Sequence, residues 1–449
     1  MSEAPGRRPN IVYLFADQMR ARSTGFAGDR QVLTPHLDAL AREGITFQTA
    51  VANCPVCTPY RASLLTGRYP LSTGLFVNDV CLPESEVCLA EVLRDQGYDT
   101  GYIGKWHLDG PERRGFTPPG PRRRGFEFWA VANCTHRYTE SFYYRDDPTP
   151  RHWQGYDAEA QTDLAVEYIC AHGTERPYCL FLSWGPPHNP YRQAPQEYLD
   201  LYDPAHLLLP RNVPAPLRDG QNRLDLAGYY AHITALDACL GRIVVALEAC
   251  GQAKDTILVF TSDHGDMLGS QGRHRKQWPW DESVRVPLVV RYPRAQGVPR
   301  TLASPLNVVD IMPTLLSLCG APIPDVVEGT DLAHLVAGGR GKAPESALVA
   351  SLAPFAEAWP GPEWRGVRTV RHTYVETLEG PWLLYDNQED PEQLDNLADD
   401  PGRQALRRSL AAELRGWLER TSDRFQPGAA LMAQYGYPRG PKGEVPYTS

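Results

Sequence analysis

Four short apolar runs along the chain each lead into polar residues capable of chemistry. They are NIVYLF, followed by Asp17 and Gln18; GYDTGYIG, followed by Lys105 and His107; YCLFLSW, leading to His188; and TILVFTS, followed by Asp263 and His264. Short apolar runs bounded by polar and turn residues are typical of buried strands. The pattern therefore predicts four central strands whose ends carry functional groups.

Between these runs, apolar residues recur at spacings of three and four, which predicts helices. The clearest patterns are TPHLDALAREG, LAEVLRDQG, LAGYYAHITALDACLGRIVVALEAC and NVVDIMPTLLSLCG. Strands that alternate with helices indicate a large, mostly parallel sheet sandwiched by helices. Ligands bind beyond the carboxyl ends of the strands in such sheets, so the polar residues after the four runs are expected to converge there.

From about residue 345 the pattern changes to short alternating runs separated by Gly-Pro turns, and a helical stretch follows near RQALRRSLAAELRGWLERT. Alternation with a period of two is typical of antiparallel strands. We therefore predict an α/β domain over residues 1–345 and a smaller C-terminal α+β subdomain over residues 346–449. Its antiparallel sheet packs against a helix, and the tail after Gln426 extends over the surface.

The charge and composition narrow the set of partners. A formal charge of −9 at pH 7 argues against a nucleic-acid partner, because displacing counterions from phosphates requires a basic face. No stretch approaches the roughly 18 apolar residues needed to span a bilayer. The first residues lack the apolar core of a secretory signal. We therefore expect a cytoplasmic protein without a membrane partner.

The ten cysteines are scattered along the chain. Several lie inside apolar runs, where a small buried side chain is the ordinary interpretation; these are Cys170, Cys179, Cys239 and Cys319. A disulfide framework is not expected in so long a chain without a secretory signal.

Cys54 and Cys57 are spaced like a redox dithiol or half of a zinc site. A redox pair should open a helix in a compact βαβ unit, and a zinc site needs a second pair at suitable spacing. Pro59 follows Cys57 closely, and the surrounding sequence offers no second pair. Both hypotheses are therefore weak, and a different role for Cys57 stays open.

The segment from Cys57 to Arg61, CTPYR, is followed by ASLLTGRYP, and here the chain resembles the formylglycine-dependent sulfatases of the alkaline phosphatase superfamily. Their signature is C-x-P-x-R followed by a helix with LLTG. Further segments are similar to this family in its order: NIVYLFADQ, GYIGKWHL, PPHNPY, SDHGDMLG, KQWPWDESVRVPLVV and, in the C-terminal subdomain, WLLYDNQEDPEQLDNLADDP. The resemblance covers nearly the whole chain and implies an alkaline-phosphatase-like fold.

The resemblance also implies a chemistry. A maturation enzyme converts Cys57 into formylglycine (3-oxoalanine), whose hydrated aldehyde is the nucleophile. One divalent metal neutralises negative charge on the sulfate oxygens. Ca²⁺ is the expected ion, with Mn²⁺ or Mg²⁺ as alternatives. The implied metal ligands are Asp17, Gln18, Cys57, Asp263 and His264.

Besides Cys57, five residues have catalytic roles by the same resemblance. Arg61 holds the formylglycine, and Lys105 and Lys276 bind sulfate oxygens. His107 takes a proton from the hydrated aldehyde, and His188 donates one to the leaving alcohol. These roles match what sulfate esters require, because their negative oxygens must be neutralised and the leaving oxygen protonated. Asn78 and His136, in neighbouring loops, are candidates for substrate binding.

The sequence leaves three hypotheses about the substrate and the reaction. The main hypothesis is a sulfatase that hydrolyses a sulfate monoester of a sugar, small alcohol or phenol. Many sulfatases carry two acids where this chain has Asp17-Gln18, and an Asp-Asn pair where it has Asp263-His264. The related phosphonate monoester and phosphodiester hydrolases share the pairs found here, so they are the alternative. A non-catalytic relative that binds sulfated ligands is a third hypothesis, against which the complete set of residues argues.

Two loop regions are expected to contact the organic part of the substrate. They span about residues 109–160 and 350–365 and are rich in Arg, Tyr and Trp. Such side chains suit a sugar-like or anionic ligand.

Overall fold

The computed structural model describes residues 7–173, 175–218, 220–355 and 361–448. Its strands are β1 (Asn10–Asp17), β2 (Ile45–Val51), β3 (Asp99–Lys105), β4 (Phe128–Ala132), β5 (Phe142–Tyr143), β6 (Arg151–His152), β7 (Tyr178–Pro187), β8 (Thr256–Ser262), β9 (Leu288–Arg291), β10 (Arg300–Asn307), β11 (Ser346–Ser351), β12 (Trp364–Thr369), β13 (His372–Thr377) and β14 (Gly380–Asp386). Its α-helices are α1 (Pro35–Glu43), α2 (Cys57–Thr66), α3 (Pro70–Thr73), α4 (Leu89–Asp95), α5 (Asp157–Ala171), α6 (Gln196–Leu199), α7 (Gly220–Ala249), α8 (Asp281–Val284), α9 (Ile311–Leu318), α10 (Ala333–Val336), α11 (Gln404–Arg420) and α12 (Gly428–Gln434).

The large sheet has the strand order β10-β2-β9-β8-β1-β7-β3-β4. Strand β9 runs antiparallel to β8 and β2, and the other neighbouring strands pair in parallel. The predicted, mostly parallel sheet is therefore confirmed. The four strands predicted from the apolar runs, β1, β3, β7 and β8, are neighbours in its centre, so their carboxyl ends lie side by side.

Strand β1 shows why the central runs are continuously apolar. All of its residues are buried. Ile11, Tyr13 and Phe15 face one apolar layer, to which α2, α4 and α9 contribute. The alternate residues Val12 and Leu14 face a second layer, built with α1, α5 and α7. Side chains alternate between the two faces of a strand, so a sheet covered by helices on both faces needs apolar residues at every position.

Helix α7 corrects one expectation. By length and composition it is the one helix within the described ranges that is apolar enough to cross a membrane. The expectation that no stretch has this character is therefore wrong. The apolar window of α7 is 78% buried inside the fold, as in a core helix, and α7 packs against α5 and β7.

Strands β11 to β14 form an antiparallel sheet, as predicted for the C-terminal region. Helix α11 covers one face, where Leu414 packs in the same cluster as Val367 and Tyr374. The other face packs against Trp278 and Trp280, which follow Lys276 in the chain. Strand β11 begins directly after the predicted boundary at residue 345. The small sheet thus packs against the segment that carries Lys276 and supports it.

Two further expectations need correction. Cys170 is exposed and forms a disulfide with Cys250, which joins the ends of α5 and α7, so its interpretation as a buried apolar side chain is wrong. Cys179, Cys239 and Cys319 are free and buried, as predicted. The tail after Gln426 is not simply extended, since it contains α12 and then returns to the α/β domain, where the Thr448 backbone N–H donates to the carbonyl of Pro111 (3.0 Å).

Candidate active site

The carboxyl ends of the central strands bring the predicted polar residues together. Asp17 is the last residue of β1, Lys105 is the last residue of β3, and His188 follows β7 directly. Asp263 and His264 follow β8. Residues separated by more than 200 positions in the sequence therefore share one buried edge of the sheet, as the strand pattern predicted.

Cys57 is the first residue of α2 and points its thiol into this cluster. Its Sγ lies 3.0 Å from Lys276 Nζ, 3.3 Å from His264 Nε2 and 3.7 Å from Lys105 Nζ. Pro59 is tolerated in the first turn of the helix, where backbone N–H groups have no partner within the helix. The sequence thus starts a helix at Cys57 and leaves its side chain at the helix N-terminus.

Asn78 holds the start of α2 in place. Its Oδ1 accepts the backbone N–H of Thr58 at 2.9 Å, and the Thr58 hydroxyl donates to the carbonyl of His107 at 2.7 Å. Asn78 also lines the cavity that contains Cys57. The structure therefore places this predicted substrate-binding residue in the site, and shows that it also anchors the first turn of α2.

The environments of Cys57 and of Cys54, three residues before it, differ strongly. Burial alone would raise the pKa of the Cys57 thiol, but the positive charges of Lys105, Lys276 and His264 lower it well below its ordinary value. Burial raises the pKa of the Cys54 thiol to about 12. Of these two cysteines, Cys57 is the one that lies where a negatively charged oxygen or sulfur is stabilised.

Arg61 lies one turn after Cys57 on α2 and has a fully buried guanidinium group. Its Nη2 lies 3.0 Å from Asp263 Oδ2 and 3.4 Å from Asp17 Oδ2. Its Nη1 donates to the carbonyl of Lys105 and to the hydroxyl of Ser183, both at 2.7 Å. One planar group thus ties α2 to the ends of β1, β3, β7 and β8.

The predicted metal ligands form a compact group. Ligand atoms of Asp17, Cys57, Asp263 and His264 all lie within 4.8 Å of one another. The side-chain carbonyl oxygen of Gln18 is buried and has no hydrogen-bond partner among the described residues. A cluster of two carboxylates and an imidazole fits a divalent cation, and Gln18, whose backbone N–H donates to Asp263 Oδ1, adds a buried oxygen without a partner in the described part of the chain. We call this group, with Gln18, the metal nest.

The two carboxylates of the metal nest respond differently to their surroundings. Burial and Cys57 act to raise the pKa of Asp17, but Lys105, Lys276 and His264 outweigh them and lower it. Burial and the neighbouring Asp17 raise the pKa of Asp263. Two acids this close repel each other, and a bound cation would relieve that repulsion.

His188 and Lys276 form a contact at the mouth of the cluster. Lys276 Nζ lies 3.2 Å from His188 Nε2, and His188 Nδ1 lies 2.8 Å from the carbonyl of Asn189. Because a carbonyl only accepts, Nδ1 carries the proton and Nε2 is the acceptor. Burial, His136 and Lys276 lower the pKa of His188, and the His136 ring stacks on it with centroids 4.0 Å apart. His136 therefore lies in the site as predicted.

His107 has partners that the sequence did not reveal. Its Nε2 lies 3.1 Å from Asp79 Oδ1, and Arg113 donates to both oxygens of Asp79 at 2.8 and 2.7 Å. Although burial opposes it, Cys134 and Asp79 raise the pKa of His107 to about 10. Burial alone would raise the pKa of Asp79. The hydrogen bonds from Arg113 and His107 outweigh burial and lower this pKa to about 2. Because a carboxylate only accepts, Nε2 of His107 carries a proton, and the pairing with Asp79 favours the protonated form of the imidazole.

Gln18, Asp79 and His107 are among the site residues whose backbone conformations are unusual for residues other than glycine. The φ angles of Gln18, Asp79 and His107 are 71°, 66° and 56°. Each such residue costs on the order of 1–3 kcal/mol, which surrounding contacts must offset. Strain of this kind concentrates at functional sites because the surrounding structure holds side chains there in directions that relaxed backbone would not allow.

A cavity of about 970 Å³ extends from Cys57 to the surface. The loop regions expected to contact substrate contribute to it, although residues 356–360 lie outside the described part of the chain. The C-terminal tail, predicted only to extend over the surface, forms part of the wall. The lining comprises Cys57, Asn78, His107, Arg113, His136, His188, Asn189, Gly272, Arg273, His274, Arg275, Lys276, Gln277, Trp278, Phe355, Gly361, Lys442, Glu444, Pro446 and Tyr447.

Comparisons with known proteins agree with this geometry. The family model described as Sulfatase matches residues 9–321, and the model described as N-sulphoglucosamine sulphohydrolase, C-terminal, matches residues 269–420. The ulvan-active sulfatase of Formosa agariphila is 42% identical over 448 residues, which cover 98% of this chain and 87% of the relative.

Two solved structures bear on the main hypothesis and its alternative. A Bacteroides thetaiotaomicron protein, reported with the metabolism of multiple glycosaminoglycans, has a TM-score of 0.85 and 28% identity, covering 98% of this chain and 100% of that one. The phosphonate monoester hydrolase of Agrobacterium radiobacter has a TM-score of 0.74 and 25% identity, covering 97% and 99%. Since the sulfatase model matches most of its length and a sulfatase is 42% identical to nearly all of it, the chain belongs to the sulfatase family of the alkaline-phosphatase-like superfamily.

Proposed function

We propose that this sulfatase hydrolyses the sulfate ester of an acidic saccharide, using a formylglycine made from Cys57. The relative that is 42% identical over nearly the whole chain is named an ulvan-active sulfatase, and another, 30% identical, is named an endo-4-O-sulfatase. The single observation that carries the mechanism is the position of Cys57, at the start of α2 between the metal nest and two lysines. Formylglycine supplies a hydroxyl nucleophile at this position once its aldehyde is hydrated.

We further propose Ca²⁺ as the cation of the metal nest. Its ligands would be Asp17, Gln18, Asp263 and His264 together with the residue at position 57, and the oxygen-rich set suits a hard cation. The imidazole of His264 keeps Mn²⁺ as an alternative. When bound, the cation supplies positive charge that stabilises oxygen anions on the nucleophile and the sulfate.

The chain's own residues perform the remaining steps. Lys105 and Lys276 flank Cys57 Sγ, so they are placed to bind oxygens of a sulfate group that approaches it. His188 carries its proton on Nδ1, which is bound to a carbonyl. Nε2 faces Lys276 Nζ at 3.2 Å, so His188 donates to a leaving alcohol only in the state in which Nε2 also carries a proton.

The burial of the signature constrains the maturation enzyme that we propose as a partner. Cys57, Pro59 and Arg61 are buried in the folded chain. An enzyme that reads these residues must therefore reach them before α2 packs against the sheet.

The outer cavity favours an acidic saccharide over a neutral phenol. Among the described lining residues beyond Lys276, arginine or lysine occurs at positions 113, 273, 275 and 442, of which Arg113 pairs with Asp79, against one lining acid, Glu444. Trp278, Phe355 and Tyr447 provide aromatic surface in the same wall. Basic groups recognise carboxylate or sulfate substituents, and aromatic rings pack against sugar rings.

Replacing Lys442 with alanine is expected to lower kcat/KM for a sulfated disaccharide that carries a uronate about three- to tenfold, in the range of an exposed ion pair. The rate on 4-nitrophenyl sulfate should change less than about twofold, and the difference should shrink at high salt. Lys342→Ala is the matched control, because Lys342 is exposed and does not line the cavity. Equal losses on both substrates would exclude an anion contact at position 442.

The alternative, a phosphonate monoester hydrolase, is tested by the ratio of kcat/KM for an aryl sulfate and an aryl phosphonate monoester. Both substrates are tetrahedral monoanions, so the comparison isolates the transferred group. We expect the sulfate to be preferred by at least about 10-fold, equal to about 1.4 kcal/mol of transition-state stabilisation. A phosphonate preference of several powers of ten would reject the sulfatase assignment of the natural reaction.

A further inference from the structure

Asp266 is a buried carboxylate in the loop after β8 to which the catalytic roles above assign nothing. Its Oδ2 accepts hydrogen bonds from Gln18 Nε2 at 2.7 Å and from the Tyr191 hydroxyl at 2.6 Å. Its Oδ1 accepts the backbone N–H groups of Leu268 and Arg275, both at 3.0 Å. Four donors therefore converge on one fully buried acid, and one of them is a side chain of the metal nest.

These contacts determine which way the Gln18 amide faces. Its Nε2 lies 2.7 Å from Asp266 Oδ2 and 3.5 Å from Asn189 Oδ1. A carboxylate only accepts hydrogen bonds, so the amide nitrogen must face Asp266. The carbonyl oxygen Oε1 is then on the other side of the amide, buried and without a partner among the described residues. The backbone N–H of Gln18 donates to Asp263 Oδ1 at 3.0 Å, which places the residue beside the metal nest.

We propose that Asp266 is the positioning residue that makes Gln18 a neutral metal ligand, an inference that rests on the proposed metal-dependent function. Asp266 holds the amide so that its oxygen serves the cation. It also excludes a carboxylate from position 18, because two like charges at hydrogen-bond distance repel each other. The metal nest therefore has two carboxylates, Asp17 and Asp263. The third acid, Asp266, contacts Gln18 and not the cation. This accounts for Asp17-Gln18 in place of two acids.

The test uses the full-length chain, freed of metal, and titration calorimetry with Ca²⁺ alone. Asp266→Asn should weaken Ca²⁺ binding about 10- to 100-fold, the usual effect of losing a partner behind a metal ligand. The side-chain oxygen of the asparagine accepts the backbone N–H groups of Leu268 and Arg275, so its NH₂ group faces Gln18. Gln18 must then turn over and present its own NH₂ to the cation.

Gln18→Glu should weaken Ca²⁺ binding by a similar factor, because the isosteric carboxylate faces Asp266. The double variant Gln18→Glu/Asp266→Asn should recover binding to within about threefold of the original protein, because the asparagine NH₂ then donates to the new carboxylate. Simple damage to the fold cannot produce such recovery. Losses that add in the double variant would overturn the proposal.

The matched control is Asp310→Asn. Asp310 is also buried and accepts backbone N–H groups, those of Asn307 and Thr330, but it does not belong to the metal nest. Its replacement should change Ca²⁺ affinity less than about twofold. Binding is measured without substrate or formylglycine, so a failure of the sulfatase assay would leave this result standing. An original chain that binds neither Ca²⁺ nor Mn²⁺ would contradict the inference itself.

Discussion

Replacing Cys57 with alanine is expected to abolish sulfate ester hydrolysis, by a factor on the order of 10⁶, while the protein stays folded. Removing the nucleophile from a group of residues that act together costs about this much in hydrolases. Here the thiol position is the point at which Lys105, Lys276 and His264 converge, so no other described side chain can replace it. Initial rates with 4-nitrophenyl sulfate, alongside circular dichroism, measure both effects.

Cys54 is the control for this prediction, because one tryptic peptide contains both cysteines. Trypsin releases residues 43–61, which contain both Cys54 and Cys57. After co-expression with a maturation enzyme, mass spectrometry should show loss of sulfur and gain of an aldehyde at Cys57 and an intact thiol at Cys54. Cys54→Ala should retain activity within about twofold, since a small buried side chain is replaced by another. An intact thiol at position 57 in active protein would exclude the formylglycine mechanism.

Arg61→Ala is expected to have the largest effect on stability, a loss of about 3–5 kcal/mol in the free energy of unfolding. The substitution leaves Asp17 and Asp263 buried without their shared guanidinium group, and breaking a buried ion pair by removing one partner costs about this amount. Urea unfolding of the metal-free protein measures the loss. Saturating Ca²⁺ should reduce it, because the cation neutralises the same two carboxylates.

An exposed arginine provides the comparison for Arg61. Arg371 also pairs with an acid, Asp386, at 2.7 Å, but its side chain is 47% exposed. Exposed pairs contribute about 0–1 kcal/mol, so Arg371→Ala should lower the free energy of unfolding by no more than this. Similar losses for the two variants would show that the buried network around Arg61 does not stabilise the fold.

The signature segment illustrates how far the sequence alone reaches. The spacing of Cys54 and Cys57 is compatible with a dithiol or zinc site, and only the residues that follow Cys57 indicated otherwise. In the structure Cys57 meets cations from β3 and from the segment before α8, whereas burial dominates the environment of Cys54. The difference between the two cysteines comes from residues that local spacing does not contain.

Several functional contacts had no signal in the sequence. Asp79 adjoins Asn78, but nothing marks it as the partner of His107 or of Arg113, 34 residues away. The tail residues Lys442 and Tyr447 reach the cavity because the end of the chain pairs with the loop near Pro111. The disulfide between Cys170 and Cys250 likewise depends on two helix ends meeting.

By itself the sequence determined the central strands, the helices that cover them, the antiparallel C-terminal sheet and the identity of the residues at the strand ends. These features are readable because apolar periodicity follows the local geometry of helix and strand. Only the tertiary structure decided which polar groups touch: Arg61 with two acids, His107 with Asp79, and Gln18 with Asp266 across 248 positions. Hydrogen bonds act over about 3 Å, and distances of that size follow from the packing of the whole chain.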